Sequence, residues 1–259
     1  MVKLRILILT EDGASTATKT IEAVFMRLLF AAYPQFPTNK IDFLPRPLQH
    51  KRVMSGNKWR SSELRDRSAI IALARDIATE AAGPESFVVF HFDGDTTWAQ
   101  RATALTAAQF ESKIVTHAKQ HAIGIAAKDP EVAPFNNEKI IRLVPYYAIE
   151  AWLFQNFDEC ERMATTPADR TQVAQWRNNR GLLDELIRPD EQLSIGKTNN
   201  LPLAKSLFNA TVTDVVAAGK SLAKIVEGLK CNAALSAAVA RICLNAAPVG
   251  DIEENPQQS

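Results

Sequence analysis

The sequence predicts an α/β protein: a mostly parallel sheet with helices on both faces, followed by a helical C-terminal region. Three observations predict it. Short apolar runs alternate with amphipathic stretches over the first two-thirds of the chain, the pattern of strand–helix–strand units. The apolar runs are continuous rather than alternating, as in strands buried on both faces. From Asp158 onward the pattern reads only as helices broken by polar loops.

Leu4 to Leu9 is the first strand, broken by Thr10-Glu11-Asp12-Gly13. Ser15 or Thr16 can cap the next helix, which carries Ile21, Val24, Phe25, Leu28 and Leu29 at helical spacing. Lys40 to Leu44 is a second strand closed by Pro45 and Pro47. Arg46 to Arg60 has no clear periodicity and no acid, and it is expected to be a basic loop. Ser61 or Ser62 caps a helix running to about Ala82. Ser86 to Phe92 is the clearest strand and ends in Asp93-Gly94-Asp95. A helix follows from about Thr106 to His121, then a fourth strand, Ile140 to Val144, stopped by Pro145. Helix resumes near Tyr147 and carries Glu150-Ala151-Trp152-Leu153. Two alanine-rich helices, near Thr213 to Leu229 and Ala233 to Leu244, precede a polar tail. The expected division is an α/β domain over 1–156, a helical extension packed on it over 157–247, and a flexible tail over 248–259.

The 259 residues are 46% hydrophobic, enough for one sizeable core, and the formal net charge is +1. Any nucleic-acid binding must therefore come from a local patch. Cys160, Cys231 and Cys243 are too few and too scattered for a disulfide framework, and a reducing, cytoplasmic setting is expected. No apolar run approaches the length of a membrane span or of a signal peptide.

Glu11 stands just past the first strand, and Asp93 and Asp95 just past the third. In a parallel sheet those ends face the same way, where ligands of such sheets bind. Carboxylates brought so close repel unless a divalent cation neutralises them. Mg²⁺ suits oxygen-only ligands and keeps waters for substrate phosphates, with Mn²⁺ as its substitute. The competing reading is three solvated loop acids. Glu150 opens an apolar helical stretch after the fourth strand, either as a ligand or as an acid favoured by the helix dipole.

LRILILTEDG followed by FVVFHFDGD resembles the Toprim pattern, a Glu after the first strand and Asp-x-Asp after a later one. LVPYYAIEAWLF resembles the EAWL helix of small bacterial Toprim-like proteins related to nucleases of the overcoming-lysogenization-defect type. The resemblance extends to about Gln155 and is weak beyond it. It implies a Toprim-like sheet, metal ligands at Glu11, Asp93 and Asp95, and Glu150 as a further acid of the site. It also implies an assisting lysine after the acids, a role in bacterial defence against phage or plasmids, and in some cases an ATPase partner.

Lys197, in Ile195-Gly196-Lys197-Thr198, and Lys205 are the two candidates for that lysine, which would steady a phosphoryl transition state. Gly196-Lys197-Thr198 is not the end of a P-loop, because Glu191 stands where that motif needs glycine. His91, inside the third strand, is expected to be a hydrogen-bonded structural histidine. His117 and His121 are expected to be a surface pair. Lys51, Arg52, Lys58 and Arg60 are the candidate phosphate contacts, with Trp59 placed to stack on a base. The alternative for this stretch is a solvated loop.

The expected function is a Mg²⁺-dependent nuclease acting on nucleic acid, with DNA favoured over RNA, as a monomer or an oligomer. The alternative is a non-catalytic metal- or nucleotide-binding subunit of a larger, ATPase-containing complex. A nuclease needs its basic segment on the same edge of the sheet as Glu11.

Overall fold

A computed structural model describes residues 2–61, 63–94, 105–128, 134–186, 188–195, 199–207 and 220–245. The elements in order are β1 (Leu4–Thr10), α1 (Ser15–Ala32), β2 (Ile41–Phe43), α2 (His50–Met54), α3 (Leu64–Ala82) and β3 (Ser86–His91). There follow α4 (Leu105–Phe110), joined through a π-helical turn to α5 (Thr116–Ala126), then β4 (Ile140–Leu143) and α6 (Glu150–Leu153). The C-terminal region supplies α7 (Phe157–Met163), α8 (Pro167–Asn178), α9 (Asn200–Ser206), α10 (Lys220–Cys231) and α11 (Ala233–Leu244).

The four strands are parallel in the order β2-β1-β3-β4. β1 pairs with β3 over nearly its whole length, from Arg5 opposite Ser86 to Thr10 opposite His91. The strand order reverses between β1 and β3, so a crevice opens at their carboxyl ends. Period-two geometry sends alternate residues to opposite faces. Leu4, Ile6, Ile8, Phe87, Val89, Ile141 and Leu143 join one core with α1 and with α6 to α11. Leu7, Leu9, Val88, Phe90, Phe92 and Ile140 join a second core with α2 to α5. Burial on both faces is what makes these strands read as continuous apolar runs.

The C-terminal helices pack on the α1 face through polar as well as apolar contacts. Trp152 Nε1 donates to Ser221 Oγ at 2.7 Å, and Ser221 N–H donates to Asp184 at 3.0 Å. The Tyr33 hydroxyl donates to the Leu229 carbonyl at 2.8 Å. Each buried polar group in this set has its partner, which is how a helical annex shares a core without stranding donors.

Three local expectations are corrected. α1 begins after Ala14, and neither Ser15 nor Thr16 caps it, since the helix has no side-chain cap at all. The basic stretch is not a loop: it folds as α2 and a 3₁₀ segment, Ser55–Arg60, because Val53, Met54 and Trp59 are buried against α3 and the sheet. Helix resumes at Glu150 rather than near Tyr147. The tail and part of the predicted Thr213–Leu229 helix lie outside the described residues. Among the described residues no helix is long and apolar enough to cross a membrane.

Candidate functional site

β1 ends at Thr10 and β3 at His91, side by side, so the chain leaves both strands into the same crevice. Glu11 N–H still donates to the His91 carbonyl at 3.0 Å, which extends the ladder by one residue and fixes where Glu11 emerges. The Glu11 carboxylate accepts from Asp93 N–H at 3.2 Å. Asp93 Oδ1 in turn accepts from Ile149 N–H at 2.9 Å, at the entry to α6. Glu150, the next residue, is 3% exposed, and its Oε1 accepts from Asn200 Nδ2 at 2.7 Å. Glu11, Asp93 and Glu150 thus line one cavity of about 460 Å³, shared with the first turns of α1 and with Asn200.

Gly94 makes this convergence feasible. A Cβ there would lie 1.7 Å from the Tyr146 carbonyl oxygen and 2.7 Å from that of Pro145. Only glycine lets the β3 exit pass so close to the β4–α6 connection, which brings Asp93 within reach of Ile149.

The structure therefore brings together Glu11, Asp93 and Glu150. Asp95 and Lys197 lie outside the described residues. Among the described residues no three acid, histidine or cysteine side chains are gathered into a ready-made metal cage. The donors that line the cavity are nonetheless mainly oxygens, from carboxylates, an amide and threonines, as a hard cation requires. His91 lines the same cavity, and burial pushes its pKa down to about 3, so it is neutral at ordinary pH. Among the described residues its Nε2 has no hydrogen-bond partner, so at this nitrogen the expectation of a hydrogen-bonded histidine is not met.

Lys205 is not part of this site. It lies in the last turn of α9 rather than at the start of a helix, and its carbonyl accepts from Arg27. Arg27 is more than three turns beyond Ser15, about 18 Å along the α1 axis from the cavity end.

The basic segment lies on the edge that carries the acids. Arg46 Nη1 donates to the Gly13 carbonyl at 2.6 Å, and the Lys51 side chain packs on Gly13, in the loop that holds Glu11. His50 latches this segment down: it is buried, and its Nε2 accepts from Thr10 N–H at 3.0 Å. Burial and then the charge of Arg46 push its pKa down to about 4, so it serves as a neutral acceptor. Lys51, Arg52, Lys58 and Arg60 are exposed, but Arg52 lies 3.5 Å from the buried carboxylate of Asp66.

Trp59 is a correction. It is 2% exposed and packs edge-on to Phe92 at 5.3 Å and Phe110 at 5.4 Å, so it anchors the segment and is not available to stack on a base.

Sequence reasoning missed Asn200 and His50. Asn200 gave a faint signal, as the end of the polar stretch before α9; His50 was hidden among cations. No known protein family, characterised protein or solved structure matches the chain.

Proposed function

We propose that this protein is a Mg²⁺-dependent phosphodiesterase of the Toprim kind that hydrolyses nucleic acid, DNA in preference to RNA. One observation carries the reading: acids leaving two adjacent parallel strands at the switch point line one cavity with Glu150, and a basic segment flanks it on the same edge. Glu11, Asp93 and Glu150 would hold the metal together with Asp95, whose place is implied by the Toprim resemblance. Bound there, Mg²⁺ supplies a polarised water and neutralises charge on the scissile phosphate.

The chain's own groups do the positioning. Ile149 N–H fixes the Asp93 carboxylate, and Asn200 fixes Glu150, so neither must reorganise when a cation arrives. Lys51, Lys58 and Arg60 supply phosphate attraction at the rim. The resemblance further supports a role in bacterial defence, beside an ATPase partner.

The second reading is a non-catalytic metal- or nucleotide-binding subunit of a larger, ATPase-containing complex, for which the same oxygen-lined cavity would serve. Incubation with plasmid, single-stranded DNA and RNA under Mg²⁺ or Mn²⁺ separates the two. Cleavage by the wild type that is lost in Asp93→Asn, which keeps an acceptor for Ile149, is the expected result. Metal binding without cleavage of any of the three would favour the second reading.

A further inference from the structure

α1 has 18 residues and starts at the cavity wall with no side-chain cap and no acid in its first turn. Its N-cap, Ala14, cannot accept a hydrogen bond through its side chain. The N–H groups of Ser15, Thr16 and Ala17 have no preceding carbonyl within the helix, whereas Thr18 N–H bonds to the Ala14 carbonyl at 3.3 Å. A long helix left uncapped at a cavity is an anion site in waiting.

A second observation points the same way. His91 is 6% exposed and lines the same cavity, and among the described residues its Nε2 is without a hydrogen-bond partner. Asp93 Oδ1, 3.5 Å away, makes no hydrogen bond to it. A buried, unsatisfied nitrogen carries an uncompensated desolvation cost, so its persistence beside a cavity signals a group that pairs with it on binding.

Asp12 Oδ1 accepts from Ala14 N–H at 2.8 Å, and Glu11, Asp93 and Glu150 complete an acidic surround. A bare anion would be repelled here; an anion carried with a cation on those acids would not.

We propose that the cavity holds the phosphate group of a nucleotide unit, with two of its oxygens on the first-turn N–H groups of α1 and one on His91 Nε2–H. This rests on the metal reading of the same acids and adds what that reading lacks, the protein donors for the phosphate. A cavity of about 460 Å³ has room for one nucleotide unit.

The test is calorimetry of the full chain with thymidine 5′-monophosphate, inorganic phosphate and thymidine, under Mg²⁺ and again under chelator. The variants are Ala14→Asp, His91→Leu, His91→Gln and Glu11→Gln/Asp93→Asn. Both phosphates bind the wild type under Mg²⁺, and thymidine does not. Ala14→Asp, which caps the helix and adds a charge, weakens phosphate binding at least tenfold while the melting temperature holds or rises and Mg²⁺ affinity is kept. His91→Leu weakens phosphate binding, and His91→Gln, which keeps an N–H donor, restores part of it.

The Glu11→Gln/Asp93→Asn variant, freed of the acids' repulsion, binds phosphate even under chelator. That arm tests the phosphate site when no metal binds, so the two readings fail separately. Wild-type phosphate affinity in Ala14→Asp, or no phosphate binding in both the wild type under Mg²⁺ and the double variant under chelator, overturns the proposal. Loss of Mg²⁺ affinity in both His91 variants also overturns it, because His91 would then be a metal ligand.

Discussion

Replacing Gly94 with alanine tests the geometry on which the site depends. The new Cβ would stand 1.7 Å from the Tyr146 carbonyl oxygen, 2.3 Å from its carbon and 2.7 Å from the Pro145 oxygen. Ordinary contact needs about 3.5 Å, so one backbone must retreat by roughly 1.5–2 Å. The obstacle is space alone, because Gly94 does not have a left-handed φ. The clash is with main chain, which has no rotamer to yield. The retreat separates Asp93 from Ile149, whose hydrogen bond at 2.9 Å would stretch past its useful range. Overpacking of about 1–3 kcal/mol and removal of a charge-assisted bond of about 1.5–3 kcal/mol give a loss of roughly 3–5 kcal/mol. For a chain of this size that is on the order of 6–20 °C in melting temperature. Gly228→Ala is the matched control: nothing lies within 4 Å of a Cβ on the exposed face of α10, and alanine there should stabilise by about 0.5–1 kcal/mol. Thermal unfolding of the two variants reads the contrast. A Gly94→Ala protein melting within about 2 °C of the wild type, with metal binding intact, would refute this account of the close approach.

The basic segment supplies three further expectations. The folded pKa of His50 is pushed from 6.5 to about 4 by burial and by Arg46, so between those values the unfolded chain takes up a proton that the folded chain refuses. Its contribution is complete above about pH 6.5 and falls as pH drops toward 4, by about 3 kcal/mol at most. His50→Gln, which still offers Thr10 an acceptor, should flatten the melting temperature against pH in that window, and an unchanged slope would contradict the latch. Neutralising Lys51, Lys58 and Arg60 should reduce the salt dependence of duplex binding by roughly 0.9 logarithmic units for each phosphate left without its cation, with Arg52 contributing less because Asp66 offsets it. Trp59→Ala should instead lower stability by about 3–5 kcal/mol, and a loss of DNA affinity without destabilisation would return Trp59 to the surface.

The sheet was legible because its strands are buried on both faces, so Leu4 to Leu9, Ser86 to Phe92 and Ile140 to Val144 stand out as apolar runs bounded by breakers. Parallel pairing then fixes which end each exit acid occupies, which is why Glu11 and Asp93 could be placed together from spacing alone. The basic segment was illegible for lack of a period. Its helical turns are specified by three buried side chains, Val53, Met54 and Trp59, whose partners lie far along the chain in α3 and β3. Trp59 among cations looks like a stacking platform until Phe92 and Phe110 are seen to enclose it. Lys205 was drawn to the site by chain order, whereas α9 points its first residue, Asn200, at Glu150 and carries Lys205 away. The uncapped start of α1 was invisible because Ser15 and Thr16 are good capping residues that stand one and two positions too late.

Calorimetric titration of the full chain with Mg²⁺ and Mn²⁺, wild type against Glu11→Gln/Asp93→Asn, decides whether the two exit acids hold a cation. Both replacements keep acceptors for Asp93 N–H and Ile149 N–H, so the fold and its hydrogen bonds persist while two negative charges disappear. The wild type should bind both ions saturably and the variant should lose at least tenfold in affinity, with no fall in the metal-free melting temperature. Equal affinity in the two proteins, or no binding by the wild type, would contradict metal binding by these acids.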